Sequence, residues 1–362
     1  MRLTILDRYV TKEYVKVFFI ILVSFTALFV IVDLFERMRM FLSNHATLPQ
    51  IVSYLTFMIP VFISQTIPVA VLLASLITFS QLSKYSEILA MKANGISLHR
   101  TSVPIIIFTS VICVFSFLFN EFITPYTNER AVHIKRIEIE KQKPLGSFKQ
   151  GQIWYRGKDG IYNFKMFEPS TNTISGITIN YLDKNFTLQR RIDAEKAQWN
   201  HNQWVFQNLM ITRFQGEQFP ALEWASSKVI HIPEKPDDFT VVQKDASNMG
   251  FMDLKNYITK MQSEGYDATR YIVDMHGKVS FNLVSMILVV IGISFSLMKS
   301  ERSGGIMQSV GVGIVIGFSY WIVHAFAMSL GRSGTIPPIA SAWIANIILG
   351  SASLLMYLRV KT

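Results

Sequence analysis

Catalytic or metal chemistry would need histidines, cysteines, carboxylates or a phosphate loop at a working spacing, so these are read first. The seven histidines are His45, His99, His133, His201, His231, His276 and His324. None stands in an HExxH or other ligand spacing. The single cysteine, Cys113, lies in an apolar run, which excludes an internal disulfide framework and a cysteine metal site. No GxxxxGK[ST] loop is present, and Gly304-Gly305 reads as a turn into a helix, so any ATP chemistry must lie on another chain. The expectation is no catalytic residue, no metal and no cofactor on this chain.

Four polar features remain. Asp33, Glu36, Arg37 and Arg39 crowd the end of the first apolar run, interleaved with Leu34, Phe35, Met38 and Met40. They suit either an ordinary snorkelling boundary or a polar seam that meets an amphiphilic substrate. In the stretch Ser86-Glu87-Ile88-Leu89-Ala90-Met91 and on to Gly95, Ser86 can cap a short helix and Gly95 can end it. Ile88, Leu89 and Met91 give that helix an apolar side, with Glu87 near its amino end. It is either a solvated connector along the membrane face or a knob that docks into a partner subunit. His324 lies within an apolar run, either as a buried hydrogen bond across helices or as a functional intramembrane group. Gly313 and Gly317 form a small-xxx-small pair that suits close packing or a moving interface.

The elements that position these residues are apolar runs. Half of the 362 residues are hydrophobic and the mean hydropathy is +0.30, too apolar for a soluble protein. Six spans are expected: Val15 to Leu34, Tyr54 to Leu82, Val103 to Thr124, Val279 to Met298, Ile306 to Leu330 and Ile336 to Leu358. Met1 to Lys16 reads as an amphipathic interfacial helix feeding the first span. That first run is too long for a cleavable signal peptide. Pro60 and Pro68 are expected to kink the second span, with one side against protein. Glu129 to Lys278 holds 21 Lys/Arg against 18 Asp/Glu, so most of the net charge of +10 flanks the spans. That excess, without a basic stripe interleaved with aromatics, argues against nucleic-acid binding. The amino terminus, Lys84, Lys92, Arg100, Lys299, Arg302, Arg359 and Lys361 share one side, against Arg37, Arg39 and Arg332 in the opposite short loops. By the positive-inside rule both termini are cytoplasmic and the polar insert is not.

Within the insert, strands are expected at Phe148 to Tyr155, Ile161 to Phe167, Ile174 to Leu182, Phe186 to Ile192, Gln203 to Phe214 and Lys228 to Ile232. Turn signals at Lys158-Asp159-Gly160, Asp183-Lys184-Asn185 and Asn200-His201-Asn202 separate them. A helix capped by Asp253 and ended by Gly265 follows. The fold class is therefore a polytopic α-helical membrane protein with six transmembrane helices and an inserted periplasmic antiparallel β domain, jelly-roll-like. The division is 1–125, 126–250 and 251–362.

Four motifs carry a resemblance: Leu6-Asp7-Arg8-Tyr9, Ser86-Glu87-Ile88 through Gly95, Asp267-Ala268-Thr269-Arg270-Tyr271, and Gly334-Thr335-Ile336-Pro337-Pro338. With the order three spans, β domain, three spans, the whole chain resembles the permease subunits of the lipopolysaccharide-export ABC transporter, the G-type more closely than the F-type. The resemblance implies pairing with a second homologous permease and a cytoplasmic ATPase dimer carrying ATP and magnesium. It implies that Glu87 meets a basic residue of that ATPase. It also implies lateral gates between the first and fifth spans of opposite subunits, and periplasmic bridge proteins of similar β fold. Arg39 and Lys135 match basic positions of the family, suited to the phosphates of lipid A. Asp33 stands where the family can carry lysine. Either a divalent ion bridges it to phosphate or it pairs with Arg37 one turn on. Inward-facing apolar residues of the β domain would shield acyl chains. The competing readings are the paralogous F-type permease, a permease for another lipid, and a non-transporting scaffold whose β domain binds periplasmic proteins.

Overall fold

The computed structural model describes residues 5–141, 146–149, 152–157, 160–168, 171–183, 187–200, 202–214, 219–236, 239, 246–263, 267–298 and 306–359. The expected turns at Lys158-Asp159 and Lys184-Asn185, and Gly265, lie outside them. The chain divides into two compact units, Met1–Glu140 with Ala246–Thr362, and Lys141–Asp245. The boundaries differ from 126 and 250 because the chain after the third span stays helical and packs back on the bundle.

The first unit contains α1 (Ile5–Glu36), α2 (Met38–Ser43), α3 (Leu48–Lys84), α4 (Glu87–Ala93), α5 (Leu98–Phe122) and α6 (Thr124–His133), which runs into a π-helical turn (Ile134–Ile139). After the insert come α7 (Phe251–Ser263), α8 (Thr269–Met298), α9 (Ile306–Arg332) and α10 (Pro338–Leu358). Among the described residues, helices α1, α3, α5, α8, α9 and α10 are the six long and apolar enough to cross a membrane. The expected interfacial helix and first span are one helix. No glycine or proline interrupts Ile5–Glu36, so the charged turns at its start continue into the apolar run.

Helix α3 is the central element. One side, through Ile67, Ala70, Val71 and Ala74, meets Tyr14 and Phe18 of α1, Leu98 and Ile105 of α5, and Val289 and Ile293 of α8. The other, through Leu72 and Leu76, meets Val284, Leu288, Ile291, Tyr320 and Ala345. Hydrocarbon gives helices no hydrophobic reason to associate, so close backbone approach and polar contacts have to hold them. A Cβ at Gly292 would lie 1.9 Å from Ser75 Oγ, which puts α8 against α3 at a distance only glycine allows. Nearby, Asn120 Nδ2 and Ser116 Oγ both donate to Asn282 Oδ1, at 3.1 and 2.7 Å. Ser64 Oγ donates to Asn120 Oδ1 at 2.6 Å.

The cap of α7 is not Asp253. The carboxylate of Glu121, at the end of α5, accepts from the backbone N–H groups of Phe251 and Met252. An acid from elsewhere in the unit thus satisfies the helix start, which allows it to begin before Asp253. Asp267 Oδ1 does the equivalent for α8, accepting from Thr269 N at 2.8 Å.

The second unit is one antiparallel sheet of seven strands in sequential order. They are β1 (Gly146–Lys149), β2 (Gln152–Arg156), β3 (Ile161–Glu168), β4 (Thr173–Leu182), β5 (Leu188–Asn200), β6 (Gln203–Arg213) and β7 (Ala221–Ile230). The antiparallel β class holds, but the connectivity is an up-and-down meander and lacks the crossings of a true jelly roll. The expected strand Phe148–Tyr155 is a hairpin. The fourth extends to Asn200 and the last begins at Ala221, because their polar residues face outward and mask the strand pattern.

A crease runs across the sheet. The pairing skips Lys165 and Gly176 between β3 and β4, Gly176 and Glu195 between β4 and β5, and Glu195 and Asn208 between β5 and β6. Gly176 and Asn208 have φ of +59° and +49°. Inward side chains are consequently three residues apart there, as in Ile174/Ile177, Ala194/Ala197 and Phe206/Leu209. The bent sheet encloses Phe239, whose ring lies 5.1 Å from Tyr155, 5.3 Å from Phe164 and 5.7 Å from Trp204. Buried Glu234 accepts from Tyr162 OH at 2.8 Å, and its carbonyl accepts from Trp204 Nε1 at 2.8 Å. Removing the Phe239 ring empties the centre of this cluster. Phe239→Ala should cost roughly 3–5 kcal/mol, seen as an earlier tryptophan-fluorescence melting transition and faster proteolysis of this unit in the full-length protein.

Candidate coupling helix and polar seam

Helix α4 is fixed at both ends by its backbone. Ser86 precedes it in the left-handed region, with φ +58° and ψ 16°, and its side chain makes no cap bond. The expected hydroxyl cap fails because an N-cap needs extended backbone to aim the side chain at the next turn. Ser86 still contributes its carbonyl, which accepts from Ala90 N at 3.0 Å. At the other end Gly95 has φ +73°, and Ile96 N returns to Met91 O at 3.0 Å, the left-handed stop foreseen for this glycine.

One face of α4 is seated. Ile88 and Met91 are buried in the cluster formed by α1, α3 and α5. Leu89, Ala90 and Lys92 are exposed, so the apolar side is narrower than expected and Leu89 points outward. Glu87 is half-buried, and Tyr9 OH of α1 donates to its Oε1 at 3.1 Å. Just past α4, Arg100 forms a bidentate pair with buried Asp7 of α1, Nη1 to Oδ1 at 2.7 Å and Nη2 to Oδ2 at 2.8 Å. Ser97 Oγ accepts from Arg100 N at 3.2 Å and caps α5. Sequence reasoning did not assign Asp7, Tyr9 or Arg100 a role in the site. The available signal was two acids, Asp7 and Glu13, on an otherwise basic amphipathic stretch.

At the opposite end of α1 the four seam residues separate. Arg37 Nε donates to Asp33 Oδ1 at 2.8 Å, and the guanidinium lies 5.5 Å from the centre of the Tyr54 ring. The pairing one turn on, raised as one possibility, is what forms. Asp33 is buried, and its Oδ2 has no hydrogen-bond partner among the described residues. Glu36 and Arg39 are exposed instead. Lys135 sits half-buried on the π-helical turn, whose Ile134 and Ile139 pack with Phe41 and Tyr54. Tyr54, absent from the sequence-based site, is the residue this end is built on.

On α9, a Cβ at Gly313 would fall 2.6 Å from Leu76 Cδ1 and 2.7 Å from Leu73 Cδ2, so this glycine serves close packing against α3. Gly317 has only an ordinary contact, 3.8 Å from Leu72 Cδ2. His324 stacks on Tyr320 at 5.5 Å, and its Nδ1 makes no hydrogen bond among the described residues. The bond expected across helices is made instead by Tyr320, to Asn346 Oδ1 at 3.1 Å. Helices α1 and α9 are the two least covered of the six spans. Among the described residues no three His, Cys, Asp or Glu side chains could together hold a metal ion.

The family profile described as lipopolysaccharide export system permease LptF/LptG matches residues 8–359. The lipopolysaccharide export system permease protein LptG of Escherichia coli strain K12 is 25% identical over 371 residues, covering 97% of this chain and 98% of that protein. The LptG protein of Haemophilus influenzae is 23% identical over 359 residues, covering 95% of each.

The Asp33–Arg37 pair makes a prediction of its own. Arg37→Gln leaves a buried carboxylate without its counter-charge and should destabilise the protein by about 3 kcal/mol. Asp33→Asn with Arg37→Gln should recover most of that loss, measured as thermal unfolding in detergent.

Proposed function

Because this chain belongs to the LptF/LptG family of lipopolysaccharide export permeases, we propose that it is the G-type permease subunit of an ATP-driven inner-membrane transporter. In this reading it extracts lipopolysaccharide and passes it to a periplasmic bridge, with no catalysis of its own. It pairs with a second homologous permease, and ATP with magnesium is bound and hydrolysed by a separate cytoplasmic ATPase dimer.

The observation that carries this reading is the construction of α4. A short helix with one face locked into the bundle and the other bare is a rigid peg, and Glu87 stands at its start. A partly buried carboxylate that meets an arginine of the ATPase makes a charge-assisted contact able to push and to pull. The excess of Lys/Arg on the α4 side favours placing α4 and both termini in the cytoplasm, with the β unit periplasmic. Thinly covered α1 and α9 are the surfaces on which a partner permease and the acyl chains would alternate, as a lateral gate requires. Arg39 and Lys135 are cations available to the phosphates of lipid A, whereas Arg37 is already engaged by Asp33. In the β unit the hollow is filled by Phe239 and Glu234, so the surface offered to bridge proteins is the β7 edge. There Trp224 is 74% exposed and Leu222 61%, and an open strand edge accepts a further strand.

Glu87→Ala should insert and fold normally yet lose ATP-driven release of lipopolysaccharide in reconstituted vesicles, together with most co-purification of the ATPase. Undiminished release by this variant would remove the coupling role. Cysteines placed in α1 and α9 of partnered permeases should crosslink to each other, and photo-crosslinkers at those positions should capture lipid.

A further inference from the structure

Besides the apolar seat that α1, α3 and α5 give Ile88 and Met91, α4 and its flank have polar ties to α1, a helix that also reaches the polar seam. Tyr9 OH bonds to Glu87 Oε1 at 3.1 Å. The Asp7 carboxylate takes both terminal nitrogens of Arg100, at 2.7 and 2.8 Å. These contacts bracket α4 in sequence, so the connector between α3 and α5 is fastened to α1 on both sides of the peg. Between them Val10, Tyr14, Phe18 and Ile21 form one buried stripe, and Tyr14 OH shares a 3.2 Å hydrogen bond with Thr109 Oγ1 of α5.

Beyond Ile21 one face of the same helix is exposed, while Leu22 and Phe25 stay on the core and Phe29 stacks on Phe62 of α3. Val23, Leu28, Ile31 and Val32 are all at least half exposed, until burial resumes at Asp33. Among the six spanning helices, α1 alone has neither glycine nor proline. The others carry Pro60 and Pro68, Pro104, Gly277 and Gly292, Gly311 and Gly313, or Pro338 and Gly350. Kinks and hinges form at such residues, so α1 is the span least able to absorb a displacement by bending. From Tyr9 to Asp33 it covers about 36 Å at 1.5 Å per residue.

We propose that α1 is a transmission rod: Asp7 and Tyr9 tie its inner end to Arg100 and Glu87, and its uninterrupted helix carries movement of α4 to the polar seam at Asp33. This rests on the reading that α4 is moved by an ATPase. Tyr9 and Asp7 are then positioning residues. Tyr9 occupies Oε1 of Glu87 and leaves Oε2 to a partner cation, and the Asp7–Arg100 pair makes α1 follow the start of α5.

The test uses the full chain assembled with its partner permease and ATPase in lipid nanodiscs. Wild type must first release lipopolysaccharide on addition of ATP. Failure at this step overturns the proposed function and the rod with it. With a working wild type, Tyr9→Phe with Asp7→Asn should release about fivefold less lipopolysaccharide per ATP hydrolysed. The charge-swapped pair Asp7→Arg with Arg100→Asp should regain most of it. Spin labels at Leu28→Cys and Leu355→Cys, in a Cys113→Ser background, should show an ATP-dependent change in distance that the Tyr9 and Asp7 variants lose. Should Asp7→Asn fail to assemble, Tyr9→Phe alone, which keeps the ring, should still lower release per ATP. Wild-type release per ATP and an unaltered label distance in the variants would overturn the rod and leave the permease function standing. So would a loss of release that the charge swap does not repair.

Discussion

Hydrocarbon accepts no hydrogen bonds, and that constraint organises the first unit. Every backbone polar group in a span must be satisfied within the protein, which fixes the spans as helices. It also recruits the polar side chains on them into inter-helix bonds. Asn282 gathers Ser116 and Asn120 across α5 and α8, and Asn346 joins Tyr320 of α9 to Ser280 O of α8. Glu121 does the same at the end of α5, where it serves the start of α7. Each bond fixes which face of a helix turns inward, something that apolar contact in lipid selects only weakly. Among the described residues the atoms left over are few. Asp33 Oδ2 and His324 Nδ1 are among them, and both lie on the two spans that the rest of the chain covers least.

That constraint also explains what could be read from the sequence. Apolar length is a local property, so all six spans were legible, as were the inserted β unit and the short helix ended by Gly95. Pairings between distant residues were not. Asp7 and Arg100 are 93 residues apart, and nothing local to either announces the other. The Asp33–Arg37 pair was foreseeable because it spans one helical turn. At the amino end the amphipathic segment runs without a break into the first span, as one helix from Ile5 to Glu36. Charge misled along β5, where Arg190, Arg191, Asp193, Glu195 and Lys196 are interleaved with inward Ile192 and Ala194. Ser86 is a third kind of miss. Its position was right, but its left-handed backbone turned the side chain away from the role its type suggests.

The two units solve different versions of one problem. In the bundle, glycines bring backbones together, as Gly292 does against Ser75, and polar side chains set the rotation. In the sheet, aromatic bulk fills a hollow, and one acid, Glu234, binds Tyr162 and Trp204 into the same wall. Neither unit relies on a disulfide, since the chain has one cysteine. Packing and hydrogen bonding must therefore specify each alone.

The crease across the sheet bears on how that specification survives folding. A uniform meander of similar strands can slip, and a slip of one residue exchanges its two faces. Here a slip of β4 or β6 would bring Ile177 or Leu209 to the positions held by Gly176 and Asn208 at positive φ. Left-handed backbone costs a branched or bulky residue about 1–2 kcal/mol. The inward side chains would lose their places in the same event. Strands β4 and β6 thus each carry a registration mark that only one alignment satisfies, so a sheet in which either pairs wrongly while forming is penalised at the bend.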